Sequence, residues 1–220
     1  MKHLKTYNES IFDIFKSKSK LSKKIRNEIR DICEKYGIYD YTINEDGSID
    51  VDDNVYMMHR QIDKLPLKFR NVTGDFCCHH NQLTSLEGCP ISVDDSFYCY
   101  NNELTSLEGG PESIGGDFDC HENRLSSLEG CPKSIGGDFD CCHNKIVTFE
   151  HLPYSIGGDF LCFGNPIYHI WKLFEDYSKI ELFNYYDIIQ DSVIILDRLN
   201  VFLEEIGKRT VAEVKGYKCI

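Results

Sequence analysis

The feature that most limits what this chain can fold into is a 21-residue period. Phe76, Phe97, Phe118, Phe139 and Phe160 are evenly spaced at it. Two residues after each Phe comes a cysteine: Cys78, Cys99, Cys120, Cys141 and Cys162. Five residues after each Phe comes an asparagine: Asn81, Asn102, Asn123, Asn144 and Asn165. Leu83, Leu104, Leu125, Ile146 and Ile167 follow, then Leu86, Leu107, Leu128 and Phe149, with Pro90, Pro111, Pro132 and Pro153 marking a return. Val93, Ile114, Ile135 and Ile156 lead into the next unit, which reads F-x-C-x-x-N-x-L-x-x-L-E-G-x-P-x-x-I-G-G-D. Self-similarity at a fixed spacing is the signature of a solenoid, whose single coils cannot bury their apolar side until neighbours cover it.

Each repeated position then has a physical task. Phe and Cys stand two apart, so they share the inward face of a short strand. The cysteines form a column of small hydrophobes rather than a metal site, because zinc needs donors that converge on a point and a ladder does not converge. The asparagine sits where the strand turns, and its amide can bond the backbone of its own and the adjacent coil. Gly-Gly and Gly-x-Pro supply the bends.

The segments "FCCHHNQL" (76–83) and "FDCHENRL" (118–125) match L-x-L-x-x-N-x-L with Phe and Cys in place of two leucines. In this the chain resembles the leucine-rich repeat, over about residues 50–170, and departs from it at the upstream Leu, where Gly-Gly-Asp stands. The "LTSLEGxPxSIGGDFxC" style further resembles repeat arrays encoded by large tailed bacteriophages. The resemblance implies an α/β repeat: a solenoid with one short parallel strand per coil and an irregular or 3₁₀-like return side.

The flanks set the organisation. Residues 1–21 form a basic arm. In "SKKIRNEIRDICEKYG" (22–37), Ser22 reads as a helix N-cap, Gly37 as its stop, and Ile25, Ile29, Ile32 and Cys33 as one apolar face. "YTINEDGSIDV" (41–51) alternates around Glu-Asp-Gly and reads as a hairpin. Helix and hairpin make an N-terminal cap over 22–54, and the repeat proper covers 55–165. Its first coil is degenerate: Val55, Met57, Arg60 and Ile62 take the Phe, Cys, Asn and Leu places. Residues 166–220 read as a C-terminal helical cap, with helices in "PIYHIWKLFEDY" (166–177) and "VIILDRLNVFLEEIG" (193–207) and a final strand in "VAEVKGYKCI".

Charge and cysteine usage exclude whole classes. The first 26 residues balance at +6, so a formal −12 overall leaves −18 on the remaining 194. A body that acidic repels phosphate backbones, which argues against nucleic acid as a partner. No apolar run approaches the ~18 residues of a membrane span, and no apolar core of a secretory signal follows the basic start. The 11 cysteines therefore read as free thiols of a reducing compartment.

What the scaffold does not dictate is the outward face of the sheet. One column there is Asp75, Ser96, Asp117, Asp138, Asp159; the next is Cys77, Tyr98, Asp119, Asp140, Leu161; a third is His79, Tyr100, His121, Cys142, Phe163. The first reads as bonding its own Gly-Gly bend, against the alternative that it lines an acidic groove. Partner-binding candidates are His79, Tyr98, Tyr100, Asp119, His121, Asp140 and Phe163, since aromatic and histidine side chains make good contacts. Asp119, His121, Asp140 and His143 are weak metal candidates only. The run from Asp117 to Glu122 starts like a calcium loop but lacks the oxygen ligand and the Gly that loop needs next. A Cys–His pair (Cys77 with His79, or Cys142 with His121) has no visible oxyanion hole. The Gly-Gly pairs lack the Lys-Ser/Thr of a phosphate loop.

These readings give a non-enzymatic binding module without cofactor, whose concave sheet takes another protein, with neither nucleic acid nor membrane as partner. The resemblance implies a phage accessory protein in the cytoplasm of the infected host. A second expectation is a structural or internal virion protein, because "KTYNESI" (5–11) resembles the capsid-targeting peptide of internal head proteins. A metal-dependent or Cys-dependent enzyme is the remote third.

Overall fold

The computed structural model describes residues 21–220, so the basic arm, apart from Leu21, and its "KTYNESI" stretch lie outside the described residues. Helix α1 (Lys23–Tyr36) begins where expected: the Ser22 hydroxyl accepts from the Ile25 N–H, and Gly37 closes the helix at a left-handed φ of 73°. Its inner face is Ile25, Ile29 and Cys33, all buried, with Ile32 only partly covered. Strands β1 (Tyr41–Ile43) and β2 (Ile49–Val51) form the antiparallel hairpin.

From there the chain winds as a solenoid in which parallel strands stack coil on coil in two sheets that do not close into a barrel. One sheet holds the Phe-x-Cys strands: β3 (Val55–Tyr56), β5 (Phe76–Cys77), β7 (Phe97–Tyr98), β9 (Phe118–Asp119), β11 (Phe139–Asp140) and β13 (Phe160–Leu161). Every pairing is in register at 21 residues, Val55 on Phe76 at the first coil and Phe on Phe from there on. The other sheet continues from the hairpin through β4 (Phe69–Val72), β6 (Ser92–Val93), β8 (Ser113–Ile114), β10 (Ser134–Ile135) and β12 (Ser155–Ile156). The expectation of one strand per coil is thus corrected to two. The return side is not merely irregular, because its Ser-Val and Ser-Ile dipeptides pair with the equivalent dipeptide one coil away.

The core is one column per repeated position. Successive Phe rings lie 5.3–5.7 Å apart from Phe76 to Phe160. Covering a Phe side chain contributes ~1.5–3 kcal/mol, which no coil gains alone. Cys78, Cys99, Cys120, Cys141 and Cys162 are buried free thiols beside the rings. Each asparagine bridges two coils: Asn123 Oδ1 accepts from the Leu104 N–H at 3.0 Å, while its Nδ2 donates to the carbonyls of Cys99 and Cys120, both at 3.1 Å. Asn102, Asn144 and Asn165 repeat the pattern. Glycine is required where coils touch: a Cβ on Gly115, Gly136 or Gly157 would collide with the backbone carbonyl of residue 94, 115 or 136.

The Asp column also bonds, but not to its own bend. Asp75 Oδ1 accepts from the Ser96 N–H, Ser96 Oγ from Asp117, Asp117 Oδ1 from Asp138 and Asp138 Oδ1 from Asp159, at 2.7–3.0 Å. This is a second ladder, running from coil to coil.

Beyond the last coil, α2 (Tyr168–Phe174), a 3₁₀ turn (Tyr177–Lys179), α3 (Ile180–Tyr185) and α4 (Leu196–Glu205) gather Trp171, Phe174, Phe183 and Phe202 around Phe149 and Phe160. Helix α4 starts later than its sequence pattern suggests. Val193–Ile194 form strand β15 between β14 (Ile189–Gln190) and β16 (Lys218–Cys219), since β-branched residues pack well on a pleated surface. Among the described residues no helix is long and apolar enough to cross a membrane.

Candidate interaction face

The outward side of the Phe-x-Cys sheet collects most of the candidate residues. Alternation along an extended segment turns Tyr98, Asp119 and Asp140 outward when Phe97, Phe118 and Phe139 turn inward. Two residues further on, His79, Tyr100 and His121 occupy equivalent places in three successive coils. Their rings stack at 4.3 and 4.5 Å with planes within 10° of parallel, so the column is a pile of rings with its edges outward. Tyr98 meets His79 edge to face at 6.5 Å.

Beside this pile runs a column in which the chain turns with positive φ: His59, His80, Asn101, Glu122 and His143 at 50–56°, then Gly164 at 76°. Left-handed backbone is unusual for His and Glu. It is held because each N–H still reaches a carbonyl of the next coil, as from His80 to Tyr100 and from His143 to Phe163. His59 and His80 stack here at 4.5 Å. This pair was not among the sequence candidates, although two histidines 21 apart were visible in the repeat.

Electrostatics divides the face into two parts. Around His79 it is rich in histidine, and the His79 ring itself is neutral at pH 7. Burial, and then the neighbouring His80, His59 and His121, push the His79 pKa down to about 4, and its Nδ1 is buried without a hydrogen-bond partner. Two coils further the face is acidic. Asp119 Oδ1 accepts from the His121 N–H at 3.1 Å and lies 2.6 Å from His121 Nδ1. Asp140 Oδ1 accepts from the Cys142 N–H at 2.8 Å. Asp119 and Asp140 are register partners on β9 and β11. Burial raises the Asp119 carboxyl; the bonds to His121 pull it down, and the like charge of Asp140 adds to the rise.

The cysteines on this face are not poised as nucleophiles. Cys77 is buried despite its outward position, and burial, then Asp75, pushes its thiol up to about 12. Burial and a hydrogen bond with Asp140 likewise push Cys142 up to about 12. A thiol held protonated at neutral pH lacks the thiolate such chemistry uses.

Two candidates stand apart. Phe163 is 55% exposed and shares the column of His121, but Cys142 separates them, and its ring packs against Tyr168 and His143. His143 lies outside the group whose donor atoms converge, which is Asp119, His121 and Asp140. Concavities lie off this face, one lined by Lys68, Ile91 and Glu108 and another by His151, Tyr154 and Glu181. What the face offers is a relatively flat array of ring edges beside two carboxylates. No protein-family model, curated protein or solved structure matches this chain.

Proposed function

We propose that the chain is a non-enzymatic, leucine-rich-repeat-like binding module whose outward Phe-x-Cys face takes a basic segment of another protein. We read it as a phage accessory protein acting in the cytoplasm of the bacterial host, with the flanking helices capping the two ends of the stack. The observation that carries this reading is the contrast within each strand. Inward positions repeat one residue type, whereas outward positions vary among Tyr, His, Asp, Cys, Leu and Phe. The scaffold does not need those types, and Tyr in particular is a residue that dominates interface energies. The acidic pair Asp119 and Asp140 supplies complementarity to Lys or Arg, and a rigid face loses little freedom on binding.

The test is affinity capture from host lysate, followed by titration of the recovered protein against wild type and a Tyr98→Ala, Tyr100→Ala double variant. The expected result is one dominant basic protein, bound at least about tenfold more weakly by the variant, with thermal melting unchanged. Equal binding by both proteins would overturn the reading.

A further inference from the structure

We propose that Asp119, His121 and Asp140 bind one divalent transition-metal ion of the zinc class, bridging two adjacent coils. The sequence alone leaves Asp119, His121, Asp140 and His143 as weak metal candidates, because the run from Asp117 to Glu122 lacks the pattern of a calcium loop. The in-register stacking of β9 on β11 changes that by bringing Asp140 beside Asp119, while His121 reaches back along its own strand. One ligand atom from each of the three lies within 4.8 Å of the other two.

Three features separate this group from an ordinary surface cluster. First, both carboxylates are half-buried, and among the described residues neither pairs with Lys or Arg, although Asp46, Asp50 and Asp187 do find such partners. Two like charges held together in a partly dry place call for a cation. Second, the donors are held in place: the N–H groups of His121 and Cys142 each fix one carboxylate oxygen. Third, the columns carry Tyr98 and Tyr100 on one side and Leu161 and Phe163 on the other, so the group sits within a partly apolar surround.

The donor set selects the class of ion. One imidazole nitrogen with two carboxylate oxygens suits zinc, cobalt or nickel, and falls short of the oxygen-only set of about six to eight that calcium takes. In the free chain Asp119 Oδ1 lies 2.6 Å from His121 Nδ1, so the two donor atoms already face one another. This inference is independent of the partner reading, because it concerns a different ligand and is read on the isolated chain.

The experiment uses the full chain, stripped with chelator and dialysed, then titrated with Zn²⁺ by calorimetry and with Co²⁺ by visible absorption. We expect one saturable equivalent and a ligand-field spectrum of bound Co²⁺. Asp140→Asn keeps the acceptor for the Cys142 N–H and so preserves the fold; it should lower affinity at least about tenfold, as should His121→Ala. His143→Ala, outside the group, should bind as wild type does. Absence of a saturable equivalent overturns the proposal. So does uptake that is unchanged in both Asp140→Asn and His121→Ala, which would mark an adventitious ion only.

Discussion

Two ladders run side by side through the same coils, and they obey different rules. The asparagine ladder is buried: Asn102, Asn123, Asn144 and Asn165 are 3–8% exposed. The Asp ladder, from Asn54 through Asp75 and Ser96 to Asp159, runs along the surface with the same spacing and similar bond lengths. Only one residue type fills the asparagine ladder over five coils, while Asn, Asp and Ser all serve in the half-buried to exposed one. The geometry is alike, so burial makes the difference. A buried carbonyl that loses its partner has no water to replace it, and an exposed N–H does.

The widest separation between the ladders comes from Asn123→Ala. It strands the Leu104 N–H and removes a donor from the carbonyls of Cys99 and Cys120. We expect a loss of about 2–4 kcal/mol in urea unfolding; a loss below 1 would break the comparison. A smaller effect should come from pH at the ring pile. The His79 pKa falls from 6.5 in the unfolded chain to about 4 in the fold. Between those values the unfolded chain binds more protons, so stability is fully present above pH 6.5 and is lost as pH falls toward 4. Partial exposure discounts the size to about 1 kcal/mol. His79→Gln should remove this part of the pH dependence, read as the shift of urea midpoint between pH 7 and pH 5. Smallest of all are changes in the exposed ladder. Asp138→Ala should cost about 0.5 kcal/mol, and Asp117→Ser less, since Ser96 already does that task one coil earlier. Losses as large as that of Asn123→Ala would show that exposure is not what separates the two ladders.

Legibility in the sequence followed the same divide. The Phe, Cys and Asn columns, the hairpin and α1 could be read directly, because a buried position tolerates so few residue types that its period survives. The Ser-Ile strands could not. Two residues are too few to display alternation, and these lie between Pro and Gly-Gly, which read as bends. Only pairing with the next coil makes them strands. For the same reason the Asp ladder was assigned to its own bend, when its acceptor bonds a residue 21 positions away. On the candidate face, the list of exposed rings and acids was legible, but three things were not. The stack of His79 on Tyr100 on His121 depends on ring orientation. The burial of Cys77 depends on its neighbours. The left-handed turn at His80, Glu122 and His143 has no compositional mark, since only Asn101 and Gly164 in that column are residues at ease there.

The common 21-residue offset of both ladders and both sheets has a consequence for how such a chain can change in length. Inserting one residue in a coil shifts every later position against its partner and breaks the Phe, Cys, Asn and Asp columns together. Removing or duplicating a whole turn, such as residues 103–123, rejoins each position to its own kind. Length in this molecule is therefore quantised: the stack can grow or shrink in whole turns, while any outward side chain can be exchanged singly without disturbing the count.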